Sequence, residues 1–328
     1  MSKIINIGVL GCASIADKFV IPTVKELKEN YNLIGIASRT KKKADQFSEK
    51  YSTKAYYNYD ELLNENKLDA IYIPLPNSLH YEWIKKALTL GKHVIVEKSL
   101  ACNYKDVQEL NKLAKKKNLV LLENFQFRFH SQLQYIKKSI SDGELGEIRN
   151  IKSYFGFPPF RDKENIRYKK ELGGGSLLDA GAYPIKISQI LMGLDIEVTD
   201  SNLVISKEHG NIDIAGNGTI RQKNGNLSSQ FAFGFDHSYQ CSIEIWGSKS
   251  LLSTNRIFTS PPGYKPVINK TINGQTETIE LAEDNHFKNM LRHFYNGVNG
   301  KIDLENEYKQ NINQSRLISE FLQRSYNS

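Results

Sequence analysis

Cysteine is scarce in this sequence: Cys12, Cys102 and Cys241 are the only three, and no two of them have CxxC spacing. An odd, scattered set argues against a disulfide framework and against a zinc site, so no metal is expected. It suits a reducing compartment. Long apolar runs are also lacking, since no stretch approaches 18 consecutive apolar residues, and no transmembrane helix is expected. A convincing secretion signal is missing too. Lys3 precedes an apolar stretch over 4–10, and Val9-Leu10-Gly11-Cys12 has a faint likeness to a lipoprotein cleavage site. The run is too short and its basic flank too thin. The same residues read better as a buried strand and a glycine turn, and the expected location is the cytoplasm.

Charge of one sign is not gathered into a block. Forty-four Lys and Arg against 36 Asp and Glu give a net charge of +8, spread along the whole chain. A nucleic-acid binder concentrates its charge on one face or helix, so neither nucleic acid nor membrane is an expected partner. A diffuse basic surface still attracts small anionic ligands. Apolar residues are not in short supply, at 40%, and long disorder is not expected.

What is present is a change of rhythm. The chain has 328 residues, enough for two domains. Over 1–123, short apolar runs at 4–10, 33–37, 70–73, 93–97 and 120–123 alternate with amphipathic stretches at 16–30, 41–51, 60–64, 80–90 and 104–117. Unbroken apolar strands separated by helices predict a parallel sheet covered on both faces, a doubly wound Rossmann domain. From 124 to 328 strands dominate, at 148–157, 197–205, 213–221, 227–235, 239–246, 251–254 and 276–281. Helices are expected at 132–141, 183–192, 286–296 and 305–324. Turns such as Lys223-Asn224-Gly225-Asn226 predict a large, mostly antiparallel open sheet in an α+β domain that holds the substrate. The overall class is α/β. Such a sheet with helices on one side leaves an apolar face to cover, so a homodimer or homotetramer is expected.

Gly8-Val9-Leu10-Gly11-Cys12-Ala13-Ser14-Ile15-Ala16 follows the first strand and opens the first helix. Glycines there permit a tight turn, and the free N–H groups of a helix start face an anion. In this context the segment predicts a dinucleotide phosphate site, with Gly8, Gly11, Cys12, Ala13, Ser14 and Ile15 as its candidates. The second strand ends in Ala37-Ser38-Arg39-Thr40. A site for NAD usually has an Asp or Glu here to take the ribose hydroxyls. This chain offers Ser38, Arg39 and, four residues on, Lys43, groups suited to an extra phosphate. The expected cofactor is therefore NADP(H).

The glycine segment, with Pro74-Leu75-Pro76-Asn77-Ser78-Leu79-His80 and Gly91-Lys92-His93-Val94-Ile95-Val96-Glu97-Lys98, resembles the Gfo/Idh/MocA oxidoreductases. The likeness continues through Glu123-Asn124-Phe125 and through Gly173-Gly174-Gly175-Ser176-Leu177-Leu178-Asp179-Ala180-Gly181-Ala182-Tyr183-Pro184 to Glu244-Ile245-Trp246-Gly247. The long glycine-rich motif is especially similar to NDP-hexose 3-ketoreductases, and also to dihydrodiol dehydrogenases. The resemblance implies hydride transfer between a nicotinamide and a carbinol or ketone carbon of a sugar or cyclitol. It implies Lys98, Asp179 and Tyr183 as catalytic residues, and Pro74, Leu75, Asn77, His80, Glu97, Lys98 and Asn124 on the cofactor. Two departures stand out: Ser99 replaces the usual proline after the lysine, and Tyr183 stands where the inositol dehydrogenase branch has histidine.

The chemistry is sensible without the family. Lys98 ends the fourth strand, at the edge where doubly wound sheets bind ligands, and can donate to an oxygen that gains charge as hydride arrives. Asp179 and Tyr183 are spaced i,i+4, so a regular helix puts them on one face. A neighbouring ammonium would lower the tyrosine from its usual pKa of about 10. His80 either lines the nicotinamide or caps its helix. Gln126, Arg128, Phe157, Arg161, Arg167 and Tyr168 are candidates for the substrate, their mixture of aromatic and basic groups suiting a base and diphosphate; a solvated loop is the alternative for 157–170. The expectation is an NADPH-dependent reductase of a nucleotide-linked keto-sugar. Its rivals are a dehydrogenase of a free sugar, cyclitol or dihydrodiol, and a silent NADP-binding regulator.

Overall fold

The computed structural model of the chain describes residues 3–327. Contacts divide it into two compact units, Met1–Asn124 with Phe287–Ile312, and Phe125–His286 with Asn313–Ser328. The first begins with β1 (Ile5–Leu10), whose nearly continuous burial is what a strand covered on both faces requires. A π-helical turn, Ala16–Val20, leads into α1 (Ile21–Glu26), and β2 (Tyr31–Ala37), α2 (Lys41–Tyr51), β3 (Lys54–Tyr56) and α3 (Tyr59–Leu63) follow. Then come β4 (Ala70–Ile73), α4 (Asn77–Thr89), β5 (His93–Glu97), α5 (Tyr104–Lys117) and β6 (Leu121–Asn124).

The six strands run parallel in the order β3-β2-β1-β4-β5-β6, as the alternating pattern predicts. The chain leaves β1 toward β2 on one side and resumes with β4 on the other. The topological switch therefore lies at the C-terminal ends of β1 and β4, where doubly wound sheets hold ligands. Periodicity carries the first helix to residue 30, but α1 stops at Glu26. Leu27 leaves helical geometry at φ −88°, ψ 45°, and its carbonyl accepts from both the Asn30 and Tyr31 N–H groups. Strand β3, three residues long, is too short to display a period.

The second unit contains α6 (Ser131–Ser141), β7 (Ile148–Gly156), α7 (Ala182–Met192), β8 (Ile196–Ser206), β9 (Ile212–Gln222) and β10 (Ser228–Gly234). It continues with β11 (Gln240–Gly247), β12 (Leu251–Asn255), β13 (Val267–Ile272) and β14 (Gln275–Glu280). The eight strands are ordered β14-β13-β12-β11-β7-β10-β9-β8, antiparallel apart from the β10–β7 pair. β13 was not expected; only Ile268 of its six residues is buried, so it lacks the apolar alternation that marks a strand.

One face of this sheet supplies the core. Ile151 and Phe155 of β7, Phe231 and Phe233 of β10, and Ile243 and Ile245 of β11 are buried there in one cluster with residues of α7. α7 is apolar nearly all round, and Tyr183 to Gln189 are all buried, as a helix sunk in a core must be. The opposite face departs from expectation. It is largely polar, with Lys152 facing Glu244 at 3.8 Å, and Trp246 (58% exposed) and Tyr154 stand among polar neighbours.

The last two helices are α8 (His286–Val298) and α9 (Glu305–Asn327). Segment 287–312 packs into the first unit, so contacts do not follow a single division after residue 123. Phe287 stacks on Phe19 with centroids 4.8 Å apart. Tyr31 donates to the Leu291 carbonyl at 2.5 Å and Tyr308 to the Leu119 carbonyl at 2.7 Å. The Asn311 amide reaches both Asn111 and the Leu121 carbonyl at 3.1 Å. Each such bond contributes about 1 kcal/mol. A late segment returning to an early domain leaves no local signature in the sequence.

Candidate active site

The turn after β1 is built around Gly11. Its φ of +123° is one that side-chain-bearing residues rarely adopt, and its N–H donates to Ala37 at 2.9 Å. A Cβ at this position would lie 2.9 Å from Leu75 Cδ2 and 3.9 Å from Pro74 Cγ, so the turn is pressed against the end of β4. Cys12, Ala13 and Ile15 are half-buried and Ser14 is exposed. Asp17 N–H bonds back to Ala13, and a helix start leaves the preceding N–H groups to outside partners. Gly8 does something else. It lies within β1, where a Cβ would meet Leu62, Leu68 and Ile71 at 3.0 to 3.1 Å. Its small size serves packing, which corrects its expected place on the cofactor.

At the end of β2, Ser38 is buried and its hydroxyl accepts from Thr40 N–H at 3.2 Å. Arg39 is exposed, and so is Lys43 in the first turn of α2. The Cys12 thiol lies 3.6 Å from the Lys43 carbonyl and also bonds Ser38, which gathers Cys12, Ser38 and Lys43 at one corner. Burial pushes that thiol up, so it stays protonated. Arg39 stands beside Tyr59, where burial raises the phenol and the guanidinium acts against it. Two cations and a hydroxyl, with no carboxylate ending the strand, fit a ribose that carries a phosphate.

Lys98 follows β5 and is half-buried; its peptide to Ser99 is cis. Side chains from three elements brace the surrounding backbone. Glu97 accepts from Tyr72 of β4 and from the Asn124 amide of β6, both at 2.7 Å. The Ser99 carbonyl lies 2.7 Å from His80 Nδ1, and Glu123 accepts from Leu100 N–H at 2.8 Å. His80 is therefore neither a helix cap nor a wall of the cofactor site. α4 begins at Asn77 after Pro76, and the ring is fully buried, its Nε2 2.7 Å from the Leu75 carbonyl. Burial pushes the imidazole down to about 4, with the two carbonyls acting against it. Each ring nitrogen thus faces a backbone carbonyl oxygen at hydrogen-bond distance. Asn77 is half-buried at the start of α4. Asn124 Oδ1 is buried and has no hydrogen-bond partner.

In the second unit, Asp179 lies in a π-helical turn, Leu177–Gly181, that runs into α7. The π turn widens the helix, so Asp179 and Tyr183 do not form the regular i,i+4 pair that α periodicity implies. Arg167 Nε donates to Asp179 at 2.6 Å. Tyr183 is 5% exposed, its ring surrounded by Phe125, Phe127, Phe155 and Phe258 at 5.0 to 5.8 Å. Gln126 is buried and its Oε1 has no hydrogen-bond partner, whereas Arg128 is half-buried over the Phe129 ring. Phe157 stacks on Phe235, and Tyr168 stacks on His209 at 4.3 Å while its hydroxyl accepts from Phe160 N–H. Arg161 is exposed. Of the expected substrate residues, Arg167 is thus joined to Asp179, and Phe157 and Tyr168 belong to an aromatic cluster.

Four residues escaped sequence reasoning: Tyr72, Glu123, Lys186 and Asp213. Lys186 is fully buried with its ammonium 5.3 Å from the centre of the Phe125 ring. The available signals were a lysine in an apolar helix and a carboxylate ending the apolar run Leu121-Leu122-Glu123. Tyr72 and Asp213 give no such signal within their strands.

Residues 5–125 match the family model described as the oxidoreductase family with an NAD-binding Rossmann fold, and residues 133–253 match the GFO/IDH/MocA C-terminal domain. The dTDP-3,4-didehydro-2,6-dideoxy-alpha-D-glucose 3-reductase of Saccharopolyspora spinosa is 36% identical over 87% of this chain and 85% of its own. A 3-ketoreductase from Actinomadura kijaniata, solved with NADP and TDP-benzene, superposes with a TM-score of 0.93 at 32% identity, covering 98% of both chains. That enzyme has also been solved with a lysine replaced by alanine or glutamate and with a tyrosine replaced by phenylalanine. The trans-1,2-dihydrobenzene-1,2-diol dehydrogenase of Xenopus tropicalis is 32% identical over 55% of this chain and 54% of its own.

Proposed function

The chain belongs to the Gfo/Idh/MocA oxidoreductases, and from that premise we propose that it is an NADPH-dependent 3-ketoreductase of a dTDP-linked deoxyhexose. The observation that carries the cofactor choice is the end of β2, where Ser38, Arg39 and Lys43 replace the carboxylate an NAD site uses. The substrate reading is supported by likeness to the Actinomadura enzyme along nearly the whole chain.

NADPH, when bound, supplies the hydride. Gly11, Cys12, Ala13, Ser14 and Ile15 would hold its diphosphate, and Ser38, Arg39 and Lys43 its extra phosphate. Pro74, Leu75, Asn77, Glu97 and Asn124 would frame the nicotinamide side. Lys98 donates a hydrogen bond, then a proton, to the substrate oxygen as negative charge develops there. Asp179, held by Arg167, orients the sugar, and Tyr183 is a second proton donor. The unmatched acceptor of Gln126 suits a sugar hydroxyl. Arg128, Phe157, Arg161, Arg167 and Tyr168 serve the nucleoside diphosphate.

Wild-type enzyme is expected to use NADPH in preference to NADH. Arg39→Ala should lower kcat/KM with NADPH by about 10- to 100-fold and change the NADH value by only about twofold, the scale of one lost charge-assisted contact. A wild type that prefers NADH overturns the cofactor choice. Assays with a dTDP-linked 3-ketohexose against free polyols test the substrate; turnover of the free compounds alone would move the protein to the sugar or dihydrodiol dehydrogenases.

The working form is a homodimer or homotetramer in a reducing, cytoplasmic setting. The exposed rings of Trp246 and Tyr154, set in an otherwise polar face, support the assembly, and the free thiols of Cys12, Cys102 and Cys241 support the reducing setting. Light scattering at micromolar protein should give two or four chain masses; one chain mass rejects the assembly.

A further inference from the structure

The segment that carries Asp179 and Tyr183 begins without a cap of its own. Gly173, Gly174 and Gly175 have no side chains to offer. Ser176, the residue type that usually caps, has already entered helical geometry at φ −69°, ψ −30° and makes no capping bond. Its hydroxyl instead donates to Asp213 Oδ2 at 2.9 Å. The same oxygen accepts from Leu177 N–H at 2.6 Å. A carboxylate on β9 thus satisfies the start of a helix far away in sequence, and places negative charge where the helix dipole favours it.

The backbone is shaped to admit that carboxylate. Gly175 has φ +107°, and a Cβ there would stand 2.3 Å from Asp213 Oδ1. On the other side the turn is tied to Arg167: Gly175 N–H donates to the Arg167 carbonyl at 2.9 Å, and a Cβ on Gly174 would lie 2.5 Å from that oxygen. The guanidinium of the same Arg167 holds Asp179. Asp213 is itself pushed above the usual carboxylate range by burial, with the Leu177 and Ser176 donors acting against that. A partly buried carboxylate with donors this close is fixed in place.

We propose that Asp213 is a positioning residue of the reductase, setting the register and direction of the π turn so that Asp179 and Tyr183 are presented to the sugar. The inference rests on the reading of those two residues as substrate-facing. It concerns the second unit alone, since every residue expected on the cofactor, Asn124 included, belongs to the first.

The test compares Asp213→Ala, Asp213→Asn and Tyr183→Phe, alone and combined, by steady-state kinetics, NADPH titration and thermal melting. Asp213→Ala should lower kcat/KM for the keto-sugar by about 30-fold, mostly in kcat, while NADPH affinity stays within about twofold. Asp213→Asn keeps one carbonyl oxygen for Leu177 N–H and should recover to within about fivefold of wild type. The Asp213→Ala/Tyr183→Phe double variant should lose much less than the product of the single losses. Full activity in Asp213→Ala overturns the proposal, and so do losses that multiply in the double variant. If Asp213→Ala does not fold, Asp213→Asn decides, combined with Ser176→Ala: activity equal to wild type in that double variant overturns the proposal. Loss in Asp213→Ala with full activity in Tyr183→Phe also overturns the proposal, since presentation of Tyr183 could then not account for the loss.

Discussion

Lys98→Met lowers kcat for ketone reduction by about 10²- to 10⁴-fold, the usual cost of losing a positioned proton donor. The substitution keeps a long apolar stem and removes only the charged donor. Other side chains support the neighbouring backbone: Tyr72 and Asn124 on Glu97, His80 near the Ser99 carbonyl, and Glu123 on Leu100 N–H. The local fold should therefore survive, and the melting temperature should shift by only a few degrees, about 1 kcal/mol for a chain this size. NADPH affinity should change by about threefold at most, because the proposed hold on the diphosphate is the Gly11 turn and not Lys98. Tyr183→Phe, with its ring packed in an aromatic shell that a phenylalanine also fills, should lose about tenfold. Added ethylamine should restore part of the Lys98→Met loss. Turnover unchanged by Lys98→Met means that the oxygen is protonated from elsewhere.

Gly11→Val is expected to weaken NADPH binding by about 100-fold or more. Two costs add here. A β-branched residue at φ +123° sits in a region that costs about 1–3 kcal/mol. Its Cβ would meet Leu75 Cδ2 at 2.9 Å, and overpacking costs about 1–3 kcal/mol more. Relief comes only by moving the turn, which moves the N–H groups proposed to hold the diphosphate. Leu75→Ala in the same chain removes the clash but not the backbone cost, so it should restore affinity only in part. Gly8→Ala is the control. Its cost falls on packing against Leu62, Leu68 and Ile71, so it should lower the melting temperature with little effect on NADPH titration. Equal NADPH affinity in Gly11→Val and wild type would place the diphosphate elsewhere.

Much of the first unit was legible because its information is local. A parallel strand buried on both faces writes itself as an apolar run, and the helices between show as periodic stretches. The glycine turn and the missing carboxylate after β2 were readable for the same reason: each is a few consecutive residues whose chemistry does not depend on distant partners. The large sheet was legible in kind but not in full. β13 buries a single residue, and the parallel pairing of β10 with β7 joins strands separated by two others in sequence. The outer face, expected to be apolar, depends on which alternate residues point outward.

Residue chemistry and order along the chain were enough to reach the oxidoreductase family and its two kinds of sheet, and to nominate a phosphate turn, a cationic corner for NADP and a lysine at a sheet edge as the site. Only the tertiary structure decided that Gly8 is a packing residue, that His80 braces the backbone beside Lys98, and that a π turn breaks the simple spacing of Asp179 and Tyr183. It alone joined Asp213 to Ser176 and Leu177, and returned 287–312 to the first unit. The reason is physical. Propensity and periodicity act over a few residues, whereas hydrogen-bond partners and close packing are set by which distant segments the fold brings within 3 to 4 Å.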